Sequence, residues 1–455
     1  MSLAALADVL QAPLAGRDAE FTGVGTDTRT LKAGELFVAL RGANGDGHNF
    51  LAEASAAGAA GALLERRVET TLPHLLVADT RRALGALAAF WRRQFDIPVV
   101  AVTGSNGKTT VKDMIGAILG RAGPGCVTQG NLNNDIGVPL TLLRMCAGDR
   151  HAVIEMGMNH RGEIEYLTRL ARPTIALVTN AAEAHLQGLG GVEEVARAKG
   201  EIFSGLTEGG VAVINADDAY CDLWRRLAAP HRCLSFGLDN PADVSARYAL
   251  DAAGSAIRLI TNHGEIDMRL PLLGRHNVMN ALAATTTALA AGAALPEIRS
   301  GLERLKPAPG RLEVKEGVSG ARLIDDTYNA NPGSLAAGLQ VLKEFGGERV
   351  LVLGDMAELG AAADGIHRRV GELAHRIGIQ RLFAVGELAR HAVRAFGQGG
   401  RHFTSHEALV EALQDCMHGD MTVLVKGSRL MRMERIVAGI QRGGAARRNE
   451  NRETA

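Results

Sequence analysis

Residues 99–110 read Val-Val-Ala-Val-Thr-Gly-Ser-Asn-Gly-Lys-Thr-Thr: an unbroken apolar run, a turn punctuated by Gly104 and Gly107, then a helix start. An apolar run without alternation suits a strand covered on both faces of a parallel sheet. The following stretch carries Val111, Met114, Ile115, Ile118 and Leu119 at i, i+3, i+4, i+7 and i+8, one face of a helix. Strand, glycine turn and helix in that order make a phosphate loop. Gly104 and Gly107 let backbone N–H groups turn inward around an anion, and the helix N-terminus adds partial positive charge. Lys108 supplies a point charge for β and γ phosphates, and Thr109 can ligate Mg²⁺. The spacing departs from the usual pattern, because the position five before Gly107 is Val102 rather than glycine. The competing reading, a glycine turn with a solvated lysine, is weakened by the flanking strand and helix.

The same alternation of short apolar runs and helical stretches continues along the chain, which predicts layered parallel α/β structure. Strands are expected at 36–40, 62–64 and 75–78, before a helix at 81–94. A second series follows at 99–102, 152–154, 175–179 and 211–214. The segment Lys306-Pro307-Ala308-Pro309-Gly310 cannot continue a helix and reads as a linker. Beyond it lie strands at 323–324, 350–353, 382–385 and 423–425, and a polar, Arg-rich tail from about 443. With 455 residues, about three domains of roughly 100–200 residues fit. Lys+Arg and Asp+Glu both number 50, which removes the basic excess of a general nucleic-acid binder. No apolar run is long enough to span a membrane, and no basic leader precedes Asp8. Five scattered cysteines form no CxxC pair, so the chain reads as cytosolic without a disulfide framework or thiolate metal site.

Ligands in open α/β sheets gather beyond the carboxyl ends of strands. Glu155, Asn180 and His185 occupy such places. A carboxylate and an imidazole near phosphates suit Mg²⁺, although Glu155 alone could cap a helix or be solvated, and His185 alone could be structural. Lys199 points into the middle of a helical stripe of Val192, Val195, Ile202, Phe203 and Leu206. A buried ammonium is costly unless paired, deprotonated or chemically altered; the alternative is a lysine whose stem packs while its head reaches water.

Taken with Ala184-His185-Leu186, these stretches resemble the Mur ligases, the ATP-dependent amide-forming enzymes of peptidoglycan synthesis. Also matching are Ala196-Arg197-Ala198-Lys199-Gly200-Glu201, Gly274-Arg275-His276-Asn277-Val278-Met279-Asn280, Pro309-Gly310-Arg311 and Asp325-Asp326-Thr327-Tyr328-Asn329-Ala330-Asn331-Pro332. Within that family, Asn131-Leu132-Asn133-Asn134-Asp135-Ile136-Gly137, Glu155-Met156-Gly157-Met158, the Tyr328–Pro332 run and Lys426-Gly427-Ser428-Arg429 are similar to the members that add D-alanyl-D-alanine. No Asp-Asn-Pro-Arg motif of the diaminopimelate- or lysine-adding members is found. The first block, with Asp27-Thr28-Arg29 and Asp46-Gly47-His48-Asn49-Phe50, is similar to the family's nucleotide-sugar-binding domain.

The resemblance implies a three-domain α/β chain. A small mixed α/β domain at 1–82 would bind the UDP-sugar. A central P-loop-type parallel-sheet ATPase domain would span 83–311, and a Rossmann-like domain 312–455. It implies that Gly104, Ser105, Asn106, Gly107, Lys108, Thr109 and Thr110 hold ATP phosphates. Thr109 and Glu155 would ligate one Mg²⁺, and His185 with Lys199, as a carbamate, a second. Asn277 and Asn280 would lie near adenine, Arg311 on the γ-phosphate and Asp325 at the ribose. Thr28, Arg29 and His48 would face the uridine or its diphosphate. Asn329, Asn331 and Lys426 would meet the dipeptide or the transferred phosphate, although the two asparagines could simply cap a turn and Lys426 end an exposed strand. Lys108, Glu155, His185 and Lys199 form the implied catalytic set of a monomer acting on small molecules, UDP-MurNAc-tripeptide and D-alanyl-D-alanine. A folylpolyglutamate-synthetase-like ligase shares the loop and lysine but lacks the N-terminal block. A non-catalytic ATP-binding module would show gaps among these positions.

Overall fold

The computed structural model describes residues 1–42, 45–182 and 190–443, organised on three main sheets. The N-terminal sheet orders its strands Leu14–Ala15, His74–Leu76, Gly61–Leu64, Glu35–Val38 and Gly23–Gly25, parallel except for the first pair. The helix expected at 81–94 runs Thr80–Arg92. Asp79 caps it by accepting from the Arg82 N–H, and Leu84, Leu87 and Ala88 form its buried face. It bridges to the central block, where Arg92 Nε donates to Ala171 O at the end of the helix Glu163–Ala171 at 2.8 Å. Residue 82 therefore lies inside a continuous helix.

The central sheet orders nine strands as Gly264–Leu270, Gly254–Thr261, Val244–Asp251, Arg232–Phe236, Val211–Asn215, Ile175–Val178, Val99–Thr103, Ala152–Glu155 and Cys126–Val127. Val99 and Ala101 enter one hydrophobic cluster, Val100 and Val102 another, so this strand is covered on both faces as its composition requires. The helix Lys108–Leu119 buries all five residues of its apolar stripe. Parallel layering breaks at one edge, where Val244–Asp251, Gly254–Thr261 and Gly264–Leu270 form an antiparallel meander. Its middle strand alternates, with Ile257 and Leu259 buried while Arg258 faces out and pairs with Asp267 at 2.7 Å. One solvated face replaces continuous apolar runs with charged alternation, a signal that a search for buried strands passes over.

The C-terminal sheet orders Glu313–Glu316, Arg322–Asp326, Met421–Lys426, Glu348–Gly354, Arg381–Val385 and Gly400–Phe403, again parallel except for the first pair. Lys306–Gly310 is irregular, as its prolines dictate. Among the described residues no helix is long and apolar enough to cross a membrane.

Candidate active site

Val99–Thr103 lies between Ala152–Glu155 and Ile175–Val178 in parallel register, so the loops after all three open on one cleft. The cleft is a cavity of about 1010 Å³ that the C-terminal sheet helps to line. Both loop glycines are fixed by backbone and by packing. Gly104 has φ 152° and Gly107 φ 82°. A Cβ would stand 1.8 Å from Thr179 Oγ1 at the first and 2.4 Å from Asn280 Oδ1 at the second.

The loop's first half does not offer its amides to the cavity as expected. Ser105 N–H donates to Asn180 O at 2.9 Å, and Asn106 N–H donates to Asn180 Oδ1 at 2.9 Å. Thr179 Oγ1 and Asn180 Nδ2 donate in turn to Asn106 O, at 2.7 and 3.1 Å. The N–H groups of Gly107, Lys108, Thr109 and Thr110, at the helix's first turn, have no acceptor among the described residues. Such free first-turn donors are suited to an anion. Asn180, a strand-end residue, is the clamp.

Lys108 Nζ donates to Gly104 O at 2.6 Å. Desolvation lowers its pKa, the Glu155 carboxylate opposes that, and the Arg311 guanidinium adds to it. Glu155 is buried; Oε1 accepts from Asn133 Nδ2 at 2.8 Å, while Oε2 has no partner among the described residues. A buried carboxylate oxygen without a donor is costly, and a bound cation would satisfy it. Lys199 is 1% exposed, so its head does not reach water. Desolvation, followed by the charge of Lys108, holds its pKa well below the ordinary value. It is not among the described residues that line the cavity. His185 lies outside the described residues.

From the C-terminal side, Arg311 Nη2 donates to Thr109 Oγ1 at 3.1 Å and the guanidinium stacks 4.1 Å over the Tyr328 ring. Lys426 is buried rather than an exposed strand end. It pairs with Asp326 Oδ2 at 2.6 Å and donates to Asn329 O at 2.9 Å. Burial raises the pKa of Asp326 against the opposing charge of Lys426. Asp325 does not reach the cavity: it is held by Lys315 Nζ at 2.5 Å and Thr327 Oγ1 at 2.6 Å, and the neighbouring Asp326 lines the wall instead. Asn329 Oδ1 accepts from the adjacent Ala330 N–H at 2.9 Å. Asn331 Oδ1 caps the helix Pro332–Lys343.

Asn277 and Asn280 both line the cavity from the helix Arg275–Ala290, joined by a 3.0 Å bond, with Asn280 against Gly107. His276 beside them went unassigned. It faces the cavity with its pKa pushed down to about 4 by burial and by Lys426. The sequence placed Asn180 at a strand end without its clamp on the loop; Asn133, His276 and Asp326 are the cavity-lining neighbours that motif reading passed over. Each adjoins a residue it did single out.

Thr28, Arg29 and His48 lie apart from this cavity. Arg29 is exposed and forks onto Asp27 at 2.6 Å, which lowers the Asp27 carboxyl to about 2. His48 is buried and satisfied. Nε2 accepts from the Glu65 N–H at 3.0 Å, so Nδ1–H donates to Asp46 Oδ1 at 2.6 Å. Both ring nitrogens are thus engaged within the N-terminal block.

Three family models match the chain: Mur ligase family, catalytic domain, at 20–92; Mur ligase middle domain at 102–288; and Mur ligase, glutamate ligase domain, at 310–429. The UDP-N-acetylmuramoyl-tripeptide–D-alanyl-D-alanine ligase of Escherichia coli (strain K12) is 45% identical over 448 residues, covering 98% of this chain and 99% of its own. A crystal structure of MurF from Acinetobacter baumannii superposes with a TM-score of 0.90 at 37% identity, over 95% of this chain and 97% of its own. MurF ligase from Thermotoga maritima, in complex with ADP, superposes with a TM-score of 0.84 at 26% identity, over 93% and 98%.

Proposed function

The chain belongs to the Mur ligase family, and from that premise we propose its reaction: ATP-dependent ligation of D-alanyl-D-alanine to UDP-N-acetylmuramoyl-tripeptide, giving the pentapeptide precursor of peptidoglycan, ADP and phosphate. The observation that carries it is convergence. A phosphate loop, a buried carboxylate with an unpaired oxygen, and the cations Lys108, Arg311 and Lys426 from two sheets meet on one cavity. Joining a carboxylate to an amine in water is uphill, so the tripeptide's terminal carboxylate first takes the γ-phosphoryl group of ATP. The dipeptide's amine then adds to that acyl phosphate, and phosphate departs. No enzyme nucleophile is needed; the residues position the reactants and neutralise charge.

Lys108 and the first-turn N–H groups hold the phosphates, with Arg311 approaching from the opposite side. Asn277 and Asn280 serve the adenine side. Thr109 and Glu155 would hold one Mg²⁺, for which the unpartnered Glu155 Oε2 is suited, and His185 with Lys199 a second. When bound, Mg²⁺ would supply positive charge that offsets the repulsion between the anionic reactants. A neutral, desolvated amine is the form that adds CO₂ and releases a proton, so carbamylation of Lys199 would supply an anionic oxygen where an ammonium would repel a metal. In this reading residues 1–82, with Thr28 and Arg29, hold the nucleotide sugar, 83–311 hold ATP, and 312–455 hold the dipeptide, with Asn329 and Lys426 as candidate contacts. The protein works as a monomer in the cytoplasm on small-molecule substrates. Phosphate release tests the proposal: it should require ATP, Mg²⁺, UDP-muramoyl tripeptide and D-alanyl-D-alanine together. Equal release with either acceptor or donor omitted would overturn it.

A further inference from the structure

The resemblance assigns Asn331 to the incoming dipeptide or the transferred phosphate, yet both ends of its carboxamide are already engaged. Oδ1 accepts from the Ser334 N–H at 2.8 Å, and the Asn331 N–H donates to Ser334 Oγ at 3.1 Å, a reciprocal cap that fixes the N-terminus of Pro332–Lys343. Nδ2 donates to Asn106 Oδ1 at 2.7 Å, across the boundary between the two sheets. Asn106 is equally fixed, since its backbone N–H and C=O are held by Asn180 and Thr179. The bond therefore joins two frames, a capped helix tip and a clamped phosphate loop. The fit beside it is close: a Cβ on Gly333 would lie 3.4 Å from Asn106 Nδ2. A second strut, Arg311 to Thr109 Oγ1 at 3.1 Å, runs in parallel.

We propose that Asn331 is a positioning residue for the nucleotide and not a dipeptide ligand: through Asn106 it sets the C-terminal helix tip on the phosphate loop, so that Arg311 and Lys108 face one another across the bound phosphates. The inference rests on the ATP-dependent ligation proposed above, and on the engaged state of both Asn331 ends.

Asn331→Ser separates the two roles of this side chain. Serine is a good N-cap and stays neutral, but its hydroxyl is too short to reach Asn106. The full-length variant should keep the wild-type melting temperature. It should bind a non-hydrolysable ATP analogue about three- to tenfold more weakly by calorimetry, the worth of one neutral hydrogen bond. Its KM for D-alanyl-D-alanine at saturating ATP should stay within about twofold of wild type, for the same reason. Asn331→Ala should weaken analogue binding alike and also lower the melting temperature, because the cap is lost. In an Asn106→Ala background Asn331→Ser should add no further loss. A raised dipeptide KM with unchanged analogue affinity would overturn the proposal in favour of direct contact. Unchanged affinity and KM together would overturn it as well. Failure of the wild-type protein to bind the analogue would instead strike at the ligase reading itself.

Discussion

Replacing Lys199 by Met should yield a more stable but inactive protein. In the unfolded chain at pH 7 this amine, with its ordinary pKa of 10.5, is protonated. In the fold it is fully buried. Desolvation first and Lys108 second depress its pKa, and no opposing charge or hydrogen bond from the described residues offsets them. Wherever pH lies between the folded and the ordinary value folding releases a proton, and at about 1.4 kcal/mol per pH unit the effect at pH 7 has a ceiling of about 5 kcal/mol. Local relaxation lowers the realised cost, and a methionine of similar volume should recover about 2 kcal/mol. The sign follows from proton counting. Between the folded and unfolded pKa values the unfolded chain binds more protons, so wild-type stability rises with pH through that window. The Met variant lacks this slope, and the gap closes as pH approaches 10.5. Urea unfolding from pH 7 to 10 in CO₂-free buffer measures it. Trp224 is the probe, since its buried indole donates to Ala196 O on Lys199's own helix at 2.9 Å, with Trp91 replaced by Phe. A Met variant less stable than wild type at pH 7, or a gap indifferent to pH, refutes the buried neutral amine. Wild-type ligation by the variant would remove Lys199 from the site.

Gly104→Ala should keep the fold by circular dichroism yet lose about 100-fold in kcat/KM, because a Cβ 1.8 Å from Thr179 Oγ1 must displace the clamp on the loop; nucleotide titration of the variant checks this. Lys426→Met or Asp326→Asn alone should destabilise by about 3–5 kcal/mol by leaving one buried polar partner unpaired, while Asp326→Leu combined with Lys426→Met recovers most of the loss without recovering ligation; denaturant midpoints decide between these outcomes. His48→Ala should lower the stability of the N-terminal block by about 2 kcal/mol through two lost hydrogen bonds, and leave the KM for UDP-MurNAc-tripeptide nearly unchanged. A raised KM at unchanged stability would return His48 to the substrate site.

What the sequence made legible was local in origin. The strand Val99–Thr103, its glycine turn and the five-residue stripe of the next helix all follow from residues within about twenty positions, and all appear as expected. So do the strands ending at Glu155 and Lys426. The antiparallel meander was not legible, because its half-solvated strands carry charged alternation rather than apolar runs. Nor was the orientation of the Ser105 and Asn106 amides, which depends on Asn180 some seventy residues downstream.

The Asp325–Asp326 pair shows why the remainder resists reading from sequence. Successive residues on a strand face opposite ways, so one of two adjacent carboxylates must turn from the cavity, and nothing local says which. The choice is made by Glu313–Glu316, a four-residue antiparallel strand running straight out of the proline linker, with no apolar run to announce it. Its Lys315 takes Asp325, and Thr327 completes the shell, which leaves Asp326 facing Lys426 and the cavity. If Lys315 is what decides the matter, Lys315→Met should leave Asp325 buried without its cation and cost about 3–5 kcal/mol, while Asp325→Asn should disturb stability more than nucleotide binding. Asp326→Asn, beyond its cost in stability, should weaken binding of the ATP analogue by calorimetry. Equal binding defects in Asp325→Asn and Asp326→Asn would mean that both carboxylates reach the ligand and that the strand register argued here is wrong.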